Sequence, residues 1–145
     1  MKKRILLTIG AVVLLVSLFV LQEGLKKPEK SVMQFYELYI DEMRSAVERH
    51  FEKGEPLVAP DGASVNEWPG EHTVVEYIVK TRGIVSSSQY YGVFYSCDNT
   101  PVSFQNAGVS LTKVSDTEWK WQGKGDNHGY VRQIEPYWFY YEAGF

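Results

Sequence analysis

A few side chains in this chain could do chemistry, and their spacing decides which of them can act together. The histidines are His50, His72 and His128, and no two of them stand at the i, i+4 spacing of a helical zinc site. Cys97 is the only cysteine, so no disulfide can form within the chain, and a small buried strand residue is the expected fate of such a thiol. Ser86, Ser87 and Ser88 lack the sequence of a nucleophile elbow and read as a turn. The segment Gly123-Lys124-Gly125-Asp126-Asn127-His128-Gly129 is glycine-rich and acidic. It has neither the Lys-Ser/Thr ending of a phosphate loop nor the oxygen ligands of a calcium loop, which leaves a hairpin turn. No catalytic residue, cofactor or metal is therefore expected. The enzymatic alternative rests on His50 with a carboxylate, in a pocket between a helix and a sheet.

The aromatic residues are the stronger signal. Fourteen of them follow Ser88, and in the last of the expected strands Tyr137, Phe139 and Tyr141 point one way while Trp138 and Tyr140 point the other. One helix can cover only one face of such a sheet. Trp119, Trp121, Trp138 and Tyr140 are accordingly the expected partner surface, because exposed Trp and Tyr are what protein contacts use.

These residues need elements to hold them. Ser31 to Lys53 reads as an amphipathic helix, with Ser31 and Gln34 as a capping box and Gly54 as the left-handed residue after its end. Val32, Tyr36, Met43, Val47 and His50 fall on its apolar side. Residues 55–71, rich in Pro and Gly, read as a long irregular connection with Leu57–Val58 as the one possible strand. From His72 the period changes to two. Strands are expected around 73–85 and 89–97, and then at 102–105, 109–114, 118–122, 130–134 and 137–142, paired as an antiparallel meander.

One helix followed by about five or six strands is an α+β pattern. A five-stranded sheet is about 24 Å wide and a helix only about 10–12 Å, so the sheet is expected to curl around the helix. Its element order is that of cystatin-like or NTF2-like rolls, a comparison of order alone that chooses no function.

Upstream stands Ile5 to Leu21, seventeen residues without a charge, after the basic Lys2-Lys3-Arg4. As a helix it spans about 26 Å against a hydrocarbon core of about 30 Å. No small-residue cleavage site follows it, so it reads as an uncleaved signal anchor, with cleavage or a soluble helix as alternatives. The short basic start favours an extracytoplasmic domain, although Lys26, Lys27 and Lys30 weaken the asymmetry. The expected layout is an anchor at 1–25, a linker at 26–30 and a single α+β domain at 31–145 on the outer side of a cell membrane.

Of 15 Lys/Arg and 18 Asp/Glu, six and two fall within residues 1–30. Nine and sixteen remain from Ser31 on, so that part carries a net −7. An acidic domain without a basic patch argues against nucleic acid as a partner. The expected function is a single-pass accessory module of an envelope assembly that binds a protein. The alternatives are a ligand-binding or enzymatic roll and a self-associating structural module, and the oligomeric state stays open.

Overall fold

The computed structural model describes residues 27–83 and 87–145. The apolar run Ile5–Leu21 and Ser86 lie outside them, and among the described residues no helix is long and apolar enough to cross a membrane. Those residues form an α+β domain with one helix and a seven-stranded antiparallel sheet.

The helix α1 runs from Pro28 to Lys53 and is 26 residues long, about 39 Å at the usual rise. Proline is at home in a helix's first turn because its ring presets φ and its missing N–H has no intrahelical acceptor there. The start therefore lies three residues upstream of the expected one. Pro28–Lys30, read as linker, are helical, and Ser31 sits within the first turn, so the capping box does not form. At the other end Gly54 has φ +69° and donates its N–H to the His50 carbonyl at 2.9 Å, the left-handed cap that its position announces.

The strands are β1 Ser64–Trp68, β2 Val74–Arg82, β3 Gln89–Ser96, β4 Thr112–Ser115, β5 Glu118–Gln122, β6 His128–Glu135 and β7 Trp138–Gly144. Their order in the sheet is β1-β2-β3-β7-β6-β5-β4. This corrects the simple meander: β1 to β3 and β4 to β7 are each meanders, and β7 returns to pair with β3, setting Phe94 opposite Phe139 and Val93 opposite Tyr140.

Three local expectations also change. The connection 55–71 contains the edge strand β1, with Val65 opposite Tyr77, while Leu57–Val58 is no strand. Residues 102–105 hold no strand but lead into a 3-10 turn, Phe104–Asn106, and of 109–114 only the end from Thr112 pairs. Pro101 has no N–H for a ladder, and Gln105, Asn106 and Gly108 all have positive φ, a conformation that ends extended chain. Cys97, expected buried in a strand, is exposed in the turn after β3.

Each face of the sheet carries an apolar cluster. On the first, Val75, Tyr77, Val93, Trp138 and Tyr140 pack with Val32, Tyr36, Met43 and Val47 of α1. On the second, Val74, Phe94, Val131, Phe139 and Tyr141 lie with Val102 and Phe104 of the segment between β3 and β4. Asn106 fastens that segment by donating its Nδ2 to the His72 carbonyl at 2.8 Å. Two glycines record close approaches. A Cβ on Gly92 would lie 2.0 Å from the Tyr77 carbonyl oxygen, and one on Gly129 would lie 2.3 Å from the Trp121 indole.

Candidate functional site

The four aromatics expected to form one partner surface are divided between the two faces, which corrects that expectation. Trp138 and Tyr140 are 2% and 0% exposed beneath α1. Trp121, 6% exposed, covers Gly129 on the opposite face, and the half-buried Trp119 stands 6.2 Å from the Phe139 ring on that same face. The alternation in β7 is as expected, but both of its faces are packed inside the chain itself.

His50 is half-buried at the end of α1 rather than inside a helix–sheet pocket. Its Nδ1 is 2.7 Å from the Glu55 carbonyl oxygen and its Nε2 3.1 Å from Glu67 Oε2, so it ties the helix end to β1. The Glu55 carbonyl raises its pKa, slight burial opposes the rise and Glu67 adds to it. His72 bonds Asp98 at 2.6 Å and fixes the turn after β3. That bond, with donors from Ser96 and Thr100, holds the Asp98 carboxyl down at about 2. His128 is the first residue of β6, its Nδ1 lies 2.6 Å from the Asp126 carbonyl oxygen, and its ring lies over Gly144. The three histidines therefore stand at separate places. Among the described residues no group of three or more His, Cys, Asp or Glu could hold a metal ion.

The site that the fold does build lies on the helix-side face of the sheet. Seven strands at about 4.8 Å spacing are about 34 Å wide, more than one helix covers. Two residues beyond Tyr140 along β7 comes Glu142, which shares its face. Glu142 is opposite Tyr91 of β3 and opposite Tyr130 of β6; Tyr130 in turn faces Lys120 of β5, and Lys120 faces Thr112 of β4. The next row on that face is Gln89, Gly144, His128 and Gln122. Together these rows line a cavity of about 400 Å³. That volume is within the range of small-molecule sites.

Several of its polar groups are already engaged. The Tyr91 hydroxyl donates to Gln89 Oε1 at 2.5 Å and the Tyr130 hydroxyl to Glu118 Oε1 at 2.6 Å. Gln122 Nε2 donates to the Asn127 carbonyl at 3.0 Å, and the Tyr140 hydroxyl donates to Glu142 Oε1 at 2.7 Å. Burial raises the Tyr91 pKa, and the Glu142 charge raises it further. Among the described residues neither Glu142 nor Lys120 stands in an ion pair.

None of these cavity residues except His128 stands out in the sequence. The available signal was the recurrence of a polar and an aromatic residue two apart, in Gln89-x-Tyr91, His128-x-Tyr130 and Tyr140-x-Glu142. It becomes a site only once β3, β7, β6 and β5 are known to be neighbours.

Further recesses lie elsewhere among the described residues. One of about 320 Å³ on the second face is lined by His72, Pro101, Val102, Leu111 and Trp119. Another of about 370 Å³ lies between the end of α1 and the sheet, with Phe51, Tyr95 and Trp138 in its walls. Beside it Phe51 and Tyr137, each 44% exposed, flank Tyr95 at ring distances of 6.4 and 6.0 Å.

Fold and site together define an α+β domain with a polar, tyrosine-lined cavity on one sheet face. No family model, no curated protein and no solved structure matches the chain.

Proposed function

We propose that this protein is a membrane-anchored, extracytoplasmic binding module whose sheet-face cavity takes a small ligand. The observation that carries the binding reading is the cavity, where two in-register rows from four neighbouring strands bring Tyr91, Glu142, Tyr130 and Lys120 to one recess. The uncharged run Ile5–Leu21 behind Lys2-Lys3-Arg4 supports the anchor and the outward domain. A roll of the cystatin-like or NTF2-like kind, with its sheet bent about α1, suits a cavity in the part of the sheet that the helix leaves uncovered. Rigid strands are good supports for a recognition site, because they fix side-chain positions better than loops do.

The test is native mass spectrometry of the full chain, extracted in a non-ionic detergent. Wild-type protein is expected to carry a small-molecule adduct, and Lys120→Trp, which fills the cavity from an exposed position, is expected to lose it. Equal adducts on both proteins, or none on either, would remove the ligand-binding reading.

Protein binding remains as a second reading, now with different residues. Exposed Phe51 and Tyr137, with half-buried Tyr95 between them, form the accessible aromatic run that Trp119, Trp121, Trp138 and Tyr140 do not. Intact spheroplasts treated with a membrane-impermeant amine crosslinker are expected to give a crosslinked species with wild type that Phe51→Ser, Tyr137→Ser loses. A species at twice the chain mass would make the module self-associating. A domain that this reagent never reaches would count against the outward orientation.

A further inference from the structure

Resting on the cavity as a ligand site, we infer that it recognises a small organic zwitterion, with an ammonium group at Glu142 between Tyr91 and Tyr130 and an anionic group at Lys120. Directly opposed residues in antiparallel strands have Cβ atoms about 4.5–5.5 Å apart. Glu142 is opposed in this way on both sides, by Tyr91 and by Tyr130. A carboxylate between two tyrosine rings offers a cation both a charge and π systems.

Two charged groups of opposite sign in one cavity, beside several polar groups that are already engaged, favour this class over a neutral ligand such as a sugar. Sugar recognition relies on free amides and hydroxyls. Here the Gln89 oxygen accepts from Tyr91, the Gln122 amide nitrogen is held by the Asn127 carbonyl, and the Tyr91 and Tyr130 hydroxyls are donated within the protein. Glu142 receives one hydrogen bond, from Tyr140, out of about four that a carboxylate can accept. The charged groups that remain for a ligand are the Glu142 carboxylate and the Lys120 ammonium, both facing the cavity and outside any ion pair among the described residues, with Thr112 and His128 as neutral polar neighbours. β6 separates their strands, so their Cα atoms are about 10 Å apart by the usual strand spacing, and the long lysine stem can close on ligands of several lengths. The acidic balance of residues 31–145 adds a field that draws in cations.

Titration calorimetry on the full chain in non-ionic detergent tests this with three probes of similar length: 5-aminovalerate, pentylamine and pentanoate. 5-Aminovalerate is expected to bind best, pentylamine about tenfold more weakly, and pentanoate not measurably. Glu142→Gln keeps an acceptor for the Tyr140 hydroxyl and is expected to weaken both amines about tenfold or more. Lys120→Met, at an exposed position, is expected to weaken 5-aminovalerate alone and bring it level with pentylamine. Circular dichroism confirms that each variant is folded, and the lysine variant decides the matter should the glutamate variant misfold. Pentanoate binding as well as 5-aminovalerate, or amine affinities that ignore both substitutions, would overturn the inference. Binding of N-acetylglucosamine but of neither amine, lost in Lys120→Trp, would overturn the ligand class and leave the cavity reading standing. Silence from all four probes, with no adduct in native mass spectrometry, would remove both.

Discussion

Trp138→Ala is expected to cost the domain about 3–5 kcal/mol, the usual range for emptying a buried tryptophan site. That is a large share of a domain stability of about 5–15 kcal/mol. Trp138 is 2% exposed, and its ring lies 5.8 Å from Tyr36 of α1, 6.2 Å from Tyr77 of β2 and 5.5 Å from Tyr95 of β3. It is the side chain at which the helix and three adjacent strands meet. The cavity left by alanine would be walled by large rings held in register by the ladder, and these can collapse into it only in part. Urea unfolding of the full chain, followed by circular dichroism, measures the loss. Trp119→Ala is the comparison, since Trp119 is half-buried and its removal should cost clearly less. Equal costs for the two, or a loss at Trp138 below about 1 kcal/mol, would mean that Trp138 does not sit in the core.

Trp138 also shows where the sequence is informative and where it falls silent. Period two in β7 places Trp138 and Tyr140 on one face, and that alternation holds. The sequence does not say what lies over the face. The decision depends on α1 covering that region and on the segment between β3 and β4 covering the other, and the second cover is invisible locally. It depends on Gln105 and Asn106, non-glycine residues at φ 54° and 50°, and on a hydrogen bond donated by the Asn106 side-chain amide to a carbonyl 34 residues away. Apolar Val102 and Phe104 looked like a strand because strand and cover residues are alike in composition.

The helix shows the same division within one element. Gly54 marks its end because few other residues adopt that φ without strain, whereas the Ser31–Gln34 pair points to a start three residues inside the one that Pro28 opens. β1 was hidden because an exposed edge strand such as Ser-Val-Asn-Glu-Trp has no apolar alternation to reveal it. The cavity was hidden for a larger reason. Pairing of β3 with β7 joins positions about fifty residues apart in the chain, and no local pattern encodes which strands become neighbours.

Glu76 on the second face gives the other large expectation, a stability that falls as pH rises from about 5 to 8. Its side chain is buried at 2% exposure, where Trp68 Nε1 donates to Oε2 at 3.0 Å and the Gln105 backbone N–H also donates. The Tyr141 hydroxyl lies beside it without a well-formed bond. Burial raises the carboxyl to about 7, against the pull of these donors. A carboxyl raised in the folded state from an ordinary 4.5 holds a proton there that the unfolded chain has released. Its contribution is fully present below about 4.5 and is lost as pH climbs through about 7. The shift corresponds to about 3 kcal/mol between those limits. Urea midpoints of wild type and Glu76→Gln across this range measure it. Glutamine keeps an acceptor for the Trp68 indole but cannot ionise, so the variant should gain on wild type by up to about 3 kcal/mol between pH 5 and pH 8. His50, whose pKa is also raised, loses stability in the same direction, but it is present in both proteins and cancels in their difference. A difference that stays constant with pH would mean that Glu76 is already ionised at pH 5, with the Trp68 and Gln105 donors outweighing its burial.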